Sequence, residues 1–141
     1  MRKLSCQTLA ALVLLAAGRA SVVAAGAVAA VTALLGDVDG SARDAAAGFL
    51  VALSTATDGA ASIHALALAA AGGGGGGDRG GGECEVIPSV VKMLGDAATG
   101  ALALQRGVDT LCNCTLTDGG IFAALNAGVP GALLLLLGEG W

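Results

Sequence analysis

Residues 26–35 read Gly-Ala-Val-Ala-Ala-Val-Thr-Ala-Leu-Leu, and this pattern of small and apolar residues returns twice further along the chain. The second copy, at 86–94, reads Val-Ile-Pro-Ser-Val-Val-Lys-Met-Leu, and the third, at 128–136, reads Gly-Val-Pro-Gly-Ala-Leu-Leu-Leu-Leu. Aligned on their branched residues, the second and third copies are separated by about 40 residues, a period typical of helical solenoids, in which each unit buries its apolar face against its neighbours. The block therefore predicts stacked helical units that offer a binding surface, and not a catalytic cleft.

The interval between the first and second copies is longer than the interval between the second and third, and the surplus coincides with a glycine-rich insert. Nine of the eleven residues from 72 to 82 are glycine, and such a stretch buries nothing that would offset the entropy lost on ordering. We therefore expect 72–83 to be a disordered Gly-rich loop. The predicted units are 4–25 (partial), 26–71, 84–127 and 128–141 (partial).

Each copy of the block predicts a short helix. Pro88 and Pro130 occupy positions where a proline in the first helical turn is tolerated. In the second copy, apolar residues recur at intervals of three and four, which gives the helix one buried stripe.

A longer helix is predicted after each of the first two copies. These helices are expected over 41–56, where Ser41 resembles an N-terminal cap, and over 101–116. The Thr-Asp-Gly sequences at 57–59 and 117–119 break them at matching points, and a further short helix follows each break. Every unit is therefore predicted to contain three helices.

The amino-acid composition limits how these helices can pack. Of the 141 residues, 55% are apolar and only 2% are aromatic, so the core has to be filled by Ala, Leu and Val. Small side chains let helices approach closely, but each contact buries little apolar area. We expect a helical core of modest stability.

Charge and cysteine usage argue against several classes of function. The net charge is −4 and no Lys/Arg cluster is present, which disfavours a nucleic-acid partner. The four cysteines are too unevenly spread for the disulfide framework of a small secreted domain, so we predict reduced thiols in the cytoplasm or nucleus. Cys112 and Cys114 are spaced too closely for a usual zinc motif, and His64 is the only histidine. No motif for a nucleophile, metal or cofactor is found, so we expect no cofactor and no catalytic residues.

The N-terminus admits a second interpretation. Arg2 and Lys3 precede an apolar run at 9–17, and small residues at 23–25 resemble a cleavage site. The alternative hypothesis is therefore a small secreted or membrane-associated protein with a signal peptide at 1–25. A mature protein that begins near Gly26 would support it.

Two features favour assigning this segment to the repeat. Residues 12–16 (LVLLA) match 50–54 (LVALS), as expected if both belong to equivalent helices. Arg19 interrupts the apolar run, which disfavours a membrane span.

Several segments of the chain resemble armadillo repeats. Residues 26–35 are similar to the family pattern G-A-I-P-x-L-V-x-L-L, 42–54 to A-A-x-A-L-x-N-L-S, and 126–130 to the junction E-A-G-A before the next unit. The A-R-x-x-A-A and L-C-N signatures are similar to those in the armadillo region of plant U-box ubiquitin ligases. The resemblance implies an all-α, right-handed superhelical solenoid of about two and a half repeats. It also implies a protein-binding role, such as substrate recruitment in ubiquitination, although no U-box precedes the repeats here.

In armadillo proteins the third helix of each unit lines a concave groove, where an Asn ladder, often with Trp one turn earlier, holds extended peptides. Aligned on this chain, the Asn positions hold Leu14, Ala52 and Asn113, and the Trp positions hold Ala10, Gly48 and Asp109. Importin-like binding of basic peptides is not expected from this set, although Asp109 is compatible with a cationic ligand. The partner-binding residues that the resemblance implies are Arg43, Arg106, Asp109 and Asn113. From the residues alone, Asn113 could instead bridge to a neighbouring helix.

Both ends of the predicted stack are apolar. Solenoids need terminal units with a polar outer face, and the five consecutive leucines at 133–137 would ordinarily lie beneath another helix. We therefore predict that the chain self-associates or is a truncated gene product.

Overall fold

The computed structural model describes residues 1–71 and 86–138, and every regular element in this part of the chain is helical. The α-helices are α1 (Arg2–Leu12), α2 (Ala16–Ala24), α3 (Ala27–Ala33), α4 (Gly40–Ser54), α5 (Thr57–Ala71), α6 (Val86–Leu94), α7 (Ala101–Cys114), α8 (Asp118–Asn126) and α9 (Val129–Gly138). A 3-10 turn, Leu34–Gly36, follows α3. The prediction of an all-α fold is confirmed. The predicted loop at 72–83 lies outside the described residues.

The helix boundaries follow the sequence pattern with three corrections. The helix after the first Thr-Asp-Gly sequence was predicted to be short, but α5 has 15 residues, as many as α4. Pro88 and Pro130 lie in the first turns of α6 and α9, as predicted. The cap of α4 is Asp39 and not Ser41, because the Asp39 carboxylate accepts a 2.9 Å hydrogen bond from the Ser41 backbone N–H. The Thr-Asp-Gly sequences begin the following helices instead of ending the long ones, since Thr117 caps α8 by accepting a 3.1 Å hydrogen bond from the Gly120 N–H.

The turns that follow α1, α4 and α7 share one geometry. A Cβ atom on Gly18, Gly59 or Gly120 would overlap the backbone carbonyl oxygen of the residue six positions earlier. Only glycine permits so close an approach between two backbone segments. Each of these glycines is the third residue of its helix, in α2, α5 and α8 respectively, so the three turns set the register of the repeat.

This register corrects the one predicted for the first unit. The match between 12–16 and 50–54 places Leu12 opposite Leu50. The glycine turns place Leu12 opposite Leu53 instead, since these two residues supply the carbonyl oxygens that the turn glycines approach. The match was wrong because the first string crosses the end of α1, while the second lies inside α4.

The corrected register also moves the positions in α1 that the armadillo resemblance assigns to a groove. The Trp position becomes Gln7 instead of Ala10, and the Asn position becomes Ala11 instead of Leu14. Neither position of α1 holds the Trp or the Asn that the resemblance implies.

The long helices pack side by side, with α1 along α4 and α4 along α7. In the same way, α3 contacts α6 and α6 contacts α9. The core between these helices includes Phe49, Leu50 and Leu53, all fully buried. Cys6 and Val13 of the N-terminal segment are also buried in this core, so the first helix contributes directly to it.

One interhelical ion pair occurs twice at equivalent positions. Arg43 of α4 donates to the Asp96 carboxylate at 3.1 Å, and Arg2, at the equivalent position of α1, pairs with Asp37. Each of these carboxylates also accepts a 2.9 Å hydrogen bond from the backbone N–H two residues ahead. Each of the two ion pairs joins a long helix to the turn that follows a short helix, α1 to the turn after α3 and α4 to the turn after α6.

Candidate binding groove

A groove of about 380 Å³ crosses α1, α4 and α7. The residues that line it are Lys3, Gln7, Ala10, Ser41, Asp44, Ala45, Gly48, Leu102 and Arg106. We call this surface the row groove, because it crosses the row of long helices. Several of its residues are small, among them Ala10, Ala45 and Gly48.

The position of Arg106 depends on the absence of a side chain at Gly48. A Cβ atom on Gly48 would lie 3.1 Å from Nη1 of Arg106, so the guanidinium group rests directly against α4. Nη1 donates a 2.7 Å hydrogen bond to the backbone carbonyl oxygen of Asp44. Arg106 is therefore held across the interface between α7 and α4, with its side chain half-buried in the groove wall.

The charges of the row groove are mixed, with an excess of positive charge. Lys3 and Arg106 contribute two cations, and Asp44 contributes one carboxylate. Arginine binds carboxylates through paired, charge-assisted hydrogen bonds. The groove is therefore better suited to an acidic side chain than to the cationic ligand that Asp109 suggested.

Three of the four predicted partner-binding residues follow one stripe of α7. Arg106, Asp109 and Asn113 are spaced by three and four residues, so they share a helix face. Asp109 is exposed, whereas Asn113 is half-buried and its Nδ2 donates a 3.1 Å hydrogen bond to Oγ of Ser54. Asn113 therefore bridges to a neighbouring helix, α4, which is the alternative role that its residue type allowed.

Arg43 lies away from the row groove. Its side chain is 9% exposed, and besides the ion pair with Asp96 its Nη2 donates a 2.6 Å hydrogen bond to the carbonyl oxygen of Ala98. These contacts are internal, so the structure gives Arg43 a role in joining α4 to the turn before α7.

Sequence reasoning missed Lys3 and Gln7 as groove residues. Both belong to the N-terminal segment, where the register of the repeat was misplaced. The recurring turn glycines carry the correct signal, since aligning them matches Gln7 with Gly48 and Asp109.

A second groove of about 620 Å³ lies between α7 and α9. Its lining is almost entirely apolar and consists of Ala101, Leu104, Gln105, Val108, Asp109, Leu133, Leu136 and Leu137. We call this surface the end groove. Asp109 belongs to this lining, so this predicted residue lies in the end groove and not in the row groove.

The cysteines and the histidine form no metal centre in the part of the chain that the structure describes. Within it, no three His, Cys, Asp or Glu side chains come together. Cys112 is exposed, while burial raises the pKa of the Cys6 thiol and raises that of Cys114 to about 11. His64 is half-buried and packs against Gly119, where an added Cβ would overlap its ring.

Among residues 1–71 and 86–138, no single helix has the length and apolar character needed to cross a membrane. Three pairs of helices, bent by 75°, 112° and 68°, reach that length and composition only when each pair is taken together.

No family model, no curated protein and no solved structure matches this chain.

Proposed function

We propose that the chain is an armadillo-type protein-binding module that holds a segment of a partner protein in the row groove. The observation that carries this proposal is the position of Arg106, whose guanidinium group lies over Gly48 at the junction of two long helices. Donors held in place before binding lose little conformational entropy when a ligand arrives.

The repeated geometry supports an armadillo-type arrangement. The three equivalent glycine turns and the two equivalent Arg–Asp ion pairs give successive units the same internal contacts. Stacked repeats of this kind form extended surfaces that proteins use to bind other proteins. Recruitment of a substrate for ubiquitination, in the cytoplasm or nucleus, is the specific role that the resemblance adds to this proposal.

The packing of the N-terminal segment favours the module over the secreted alternative. Cys6 and Val13 are 1% and 0% exposed, and Val22 is 5% exposed. Removal of 1–25 would uncover the apolar side of α4, which costs free energy in proportion to the area exposed. Mass spectrometry of the N-terminus of the expressed protein tests this point, because a start near Gly26 contradicts the proposal.

Selection from a random peptide library on the full chain tests the binding function. We expect selected peptides to bind the full chain and to be enriched in Asp and Glu. Gly48→Leu fills part of the groove and displaces Arg106, so it should weaken their binding at least tenfold, which corresponds to about 1.4 kcal/mol.

Ala29→Leu is the matched control, because Ala29 is exposed on α3 and lies outside both grooves. This variant should bind the selected peptides with unchanged affinity. Equal binding to wild type and Gly48→Leu would contradict the proposed site.

A further inference from the structure

We propose that a second copy of this chain covers the end groove with the outer face of its α1, so that copies associate head to tail. The proposal rests on a comparison of equivalent positions along the row of long helices, and it does not depend on peptide binding in the row groove.

The first part of the argument concerns the face of α7 that lines the end groove. In the register set by the turn glycines, Leu104 and Val108 of α7 correspond to Arg43 and Ala47 of α4. Arg43 and Ala47 are only 7% and 1% exposed, and Arg43 bonds to Asp96 and Ala98 in the turn before α7. Leu104 and Val108 occupy the same face but line an open apolar groove.

The wall of the end groove opposite α7 is supplied by α9. Leu133 is half-buried there, and Leu137 is 72% exposed. An apolar groove of this size favours an apolar occupant, since its burial removes hydrocarbon surface from water.

The second part concerns the outer face of α1. In the same register, Leu4 and Leu12 correspond to Ala45 and Leu53 of α4. Ala45 and Leu53 are 7% and 0% exposed, whereas Leu4 and Leu12 are 61% and 49% exposed. This face of α1 is therefore apolar and open at positions that are buried in α4.

The outer face of α1 and the end-groove face of α7 are therefore the two surfaces of a helix–helix contact that the chain already makes twice. α1 packs on α4 and α4 packs on α7, so α1 of a second copy placed on α7 would continue the row with the same relation between helices. The two surfaces differ, so the contact is heterologous. Repetition of such a contact produces an open filament, unless the rotation between neighbouring copies closes a ring.

Sedimentation velocity of the full chain tests the proposal. Between about 1 μM and about 1 mM, the range in which small and weak interfaces associate, we expect the sedimentation coefficient to rise with concentration. A wild-type chain that stays monomeric over this whole range would overturn the proposal.

Two variants with charges at the two surfaces test the direction of association. Leu137→Glu blocks the end groove and Leu4→Glu blocks the α1 face, so each variant alone should be monomeric. Mixed in equal amounts, they should form a 1:1 dimer, because each supplies the surface that the other lacks. Dimers of Leu4→Glu alone, or no dimers in the mixture, would overturn head-to-tail association.

Leu134→Glu is the control, because Leu134 is 68% exposed on the same helix as Leu137 but does not line the end groove. It should associate as wild type does, and circular dichroism should show unchanged helix content in all three variants. If a Glu variant loses helix content, Leu137→Ala and Leu4→Ala replace the pair, and each should raise the dissociation constant about tenfold. An unchanged constant in both Ala variants would overturn the proposal.

Discussion

Arg43 and Asn113 have their polar contacts within the chain, although the family resemblance assigns both to partner binding. Arg43 bonds to Asp96, 53 residues away, and Asn113 bonds to Ser54, 59 residues away. A buried polar group is costly unless it is hydrogen-bonded. These bonds pair Nη1 and Nη2 of Arg43 and Nδ2 of Asn113 within the chain, while Nε of Arg43 is buried without a hydrogen bond. Sequence spacing indicated which helix each occupies, but not which distant residue it would meet.

Replacing Arg43 tests this internal role. Arg43→Met keeps much of the apolar stem but leaves the carbonyl oxygen of Ala98 without its 2.6 Å donor and removes the ion pair with Asp96. We expect the free energy of unfolding to fall by about 1–3 kcal/mol, measured by urea denaturation.

Arg2→Met is the matched control, because Arg2 makes the equivalent ion pair with a side chain that is 66% exposed. The Asp37 side chain is only 6% exposed, but without Arg2 it keeps the 2.9 Å hydrogen bond from the Asp39 backbone N–H, and no carbonyl oxygen loses a donor. This variant should therefore lose less free energy than Arg43→Met. A larger loss in Arg2→Met would contradict the role assigned to Arg43.

At the scale of the element, the helix types and approximate ends were accessible from the sequence. The predicted helices 41–56 and 101–116 became Gly40–Ser54 and Ala101–Cys114, with ends that differ by no more than two positions. The cap was misassigned because Asp39 and Ser41 are both good capping residues, and the backbone conformation decides between them. Asp39 is extended at φ −80° and ψ 108°, as a cap must be.

The repeated turn gives the sharpest prediction at this scale. Gly120→Ala would place a Cβ against the backbone carbonyl group of Cys114, which cannot move without shifting the end of α7. We expect the free energy of unfolding to fall by at least about 2 kcal/mol, as overpacking commonly costs about 1–3 kcal/mol. Thermal or urea unfolding followed by circular dichroism measures it.

Gly100→Ala serves as its control. Gly100 precedes α7 with φ −69°, which any residue adopts, and no atom lies within 4 Å of an added Cβ. The free energy of unfolding should fall by no more than about 1 kcal/mol, because alanine is a poorer N-cap than glycine at the start of α7 but restricts the unfolded chain. If Gly120→Ala and Gly100→Ala lower the free energy of unfolding equally, the close approach at Gly120 is not the reason that glycine is required there.

At the scale of the whole molecule, stability should fall in acid. Hydrogen bonds from the Asp39 backbone and from Arg2 lower the pKa of Asp37, bonds from Ser41 lower that of Asp39, and Arg19 lowers that of Asp58. Their pKa values are below the ordinary value of 3.8 in the folded chain, so the unfolded chain binds more protons in that interval. The stabilisation is present above about pH 4 and is lost as the pH falls through the lowered values.

Stability should also fall in alkali. Burial raises the pKa of Cys114 from its ordinary 9.0 to about 11, so the folded chain keeps a proton that the unfolded chain releases. This stabilisation is complete below about pH 9 and is lost as the pH rises toward about 11. Urea midpoints measured across both ranges check the prediction, and Cys114→Ser should reduce the alkaline loss. A midpoint that does not change below about pH 4 would contradict the assignment of the three aspartates.

The helical character of the chain and the repetition of its pattern follow from the sequence, because apolar spacing, first-turn prolines and glycine turns act through neighbours along the chain. The register of the first unit is local in the same sense, since each turn glycine meets a carbonyl oxygen only six positions earlier. Packing between helices set the burial of Arg43 and the placement of Arg106 over Gly48. Each of these depends on groups far apart in the sequence that meet only when the helices pack. Local patterns fix which face of a helix is apolar, but the residue that meets a polar side chain across an interface is set by how the helices lie against one another.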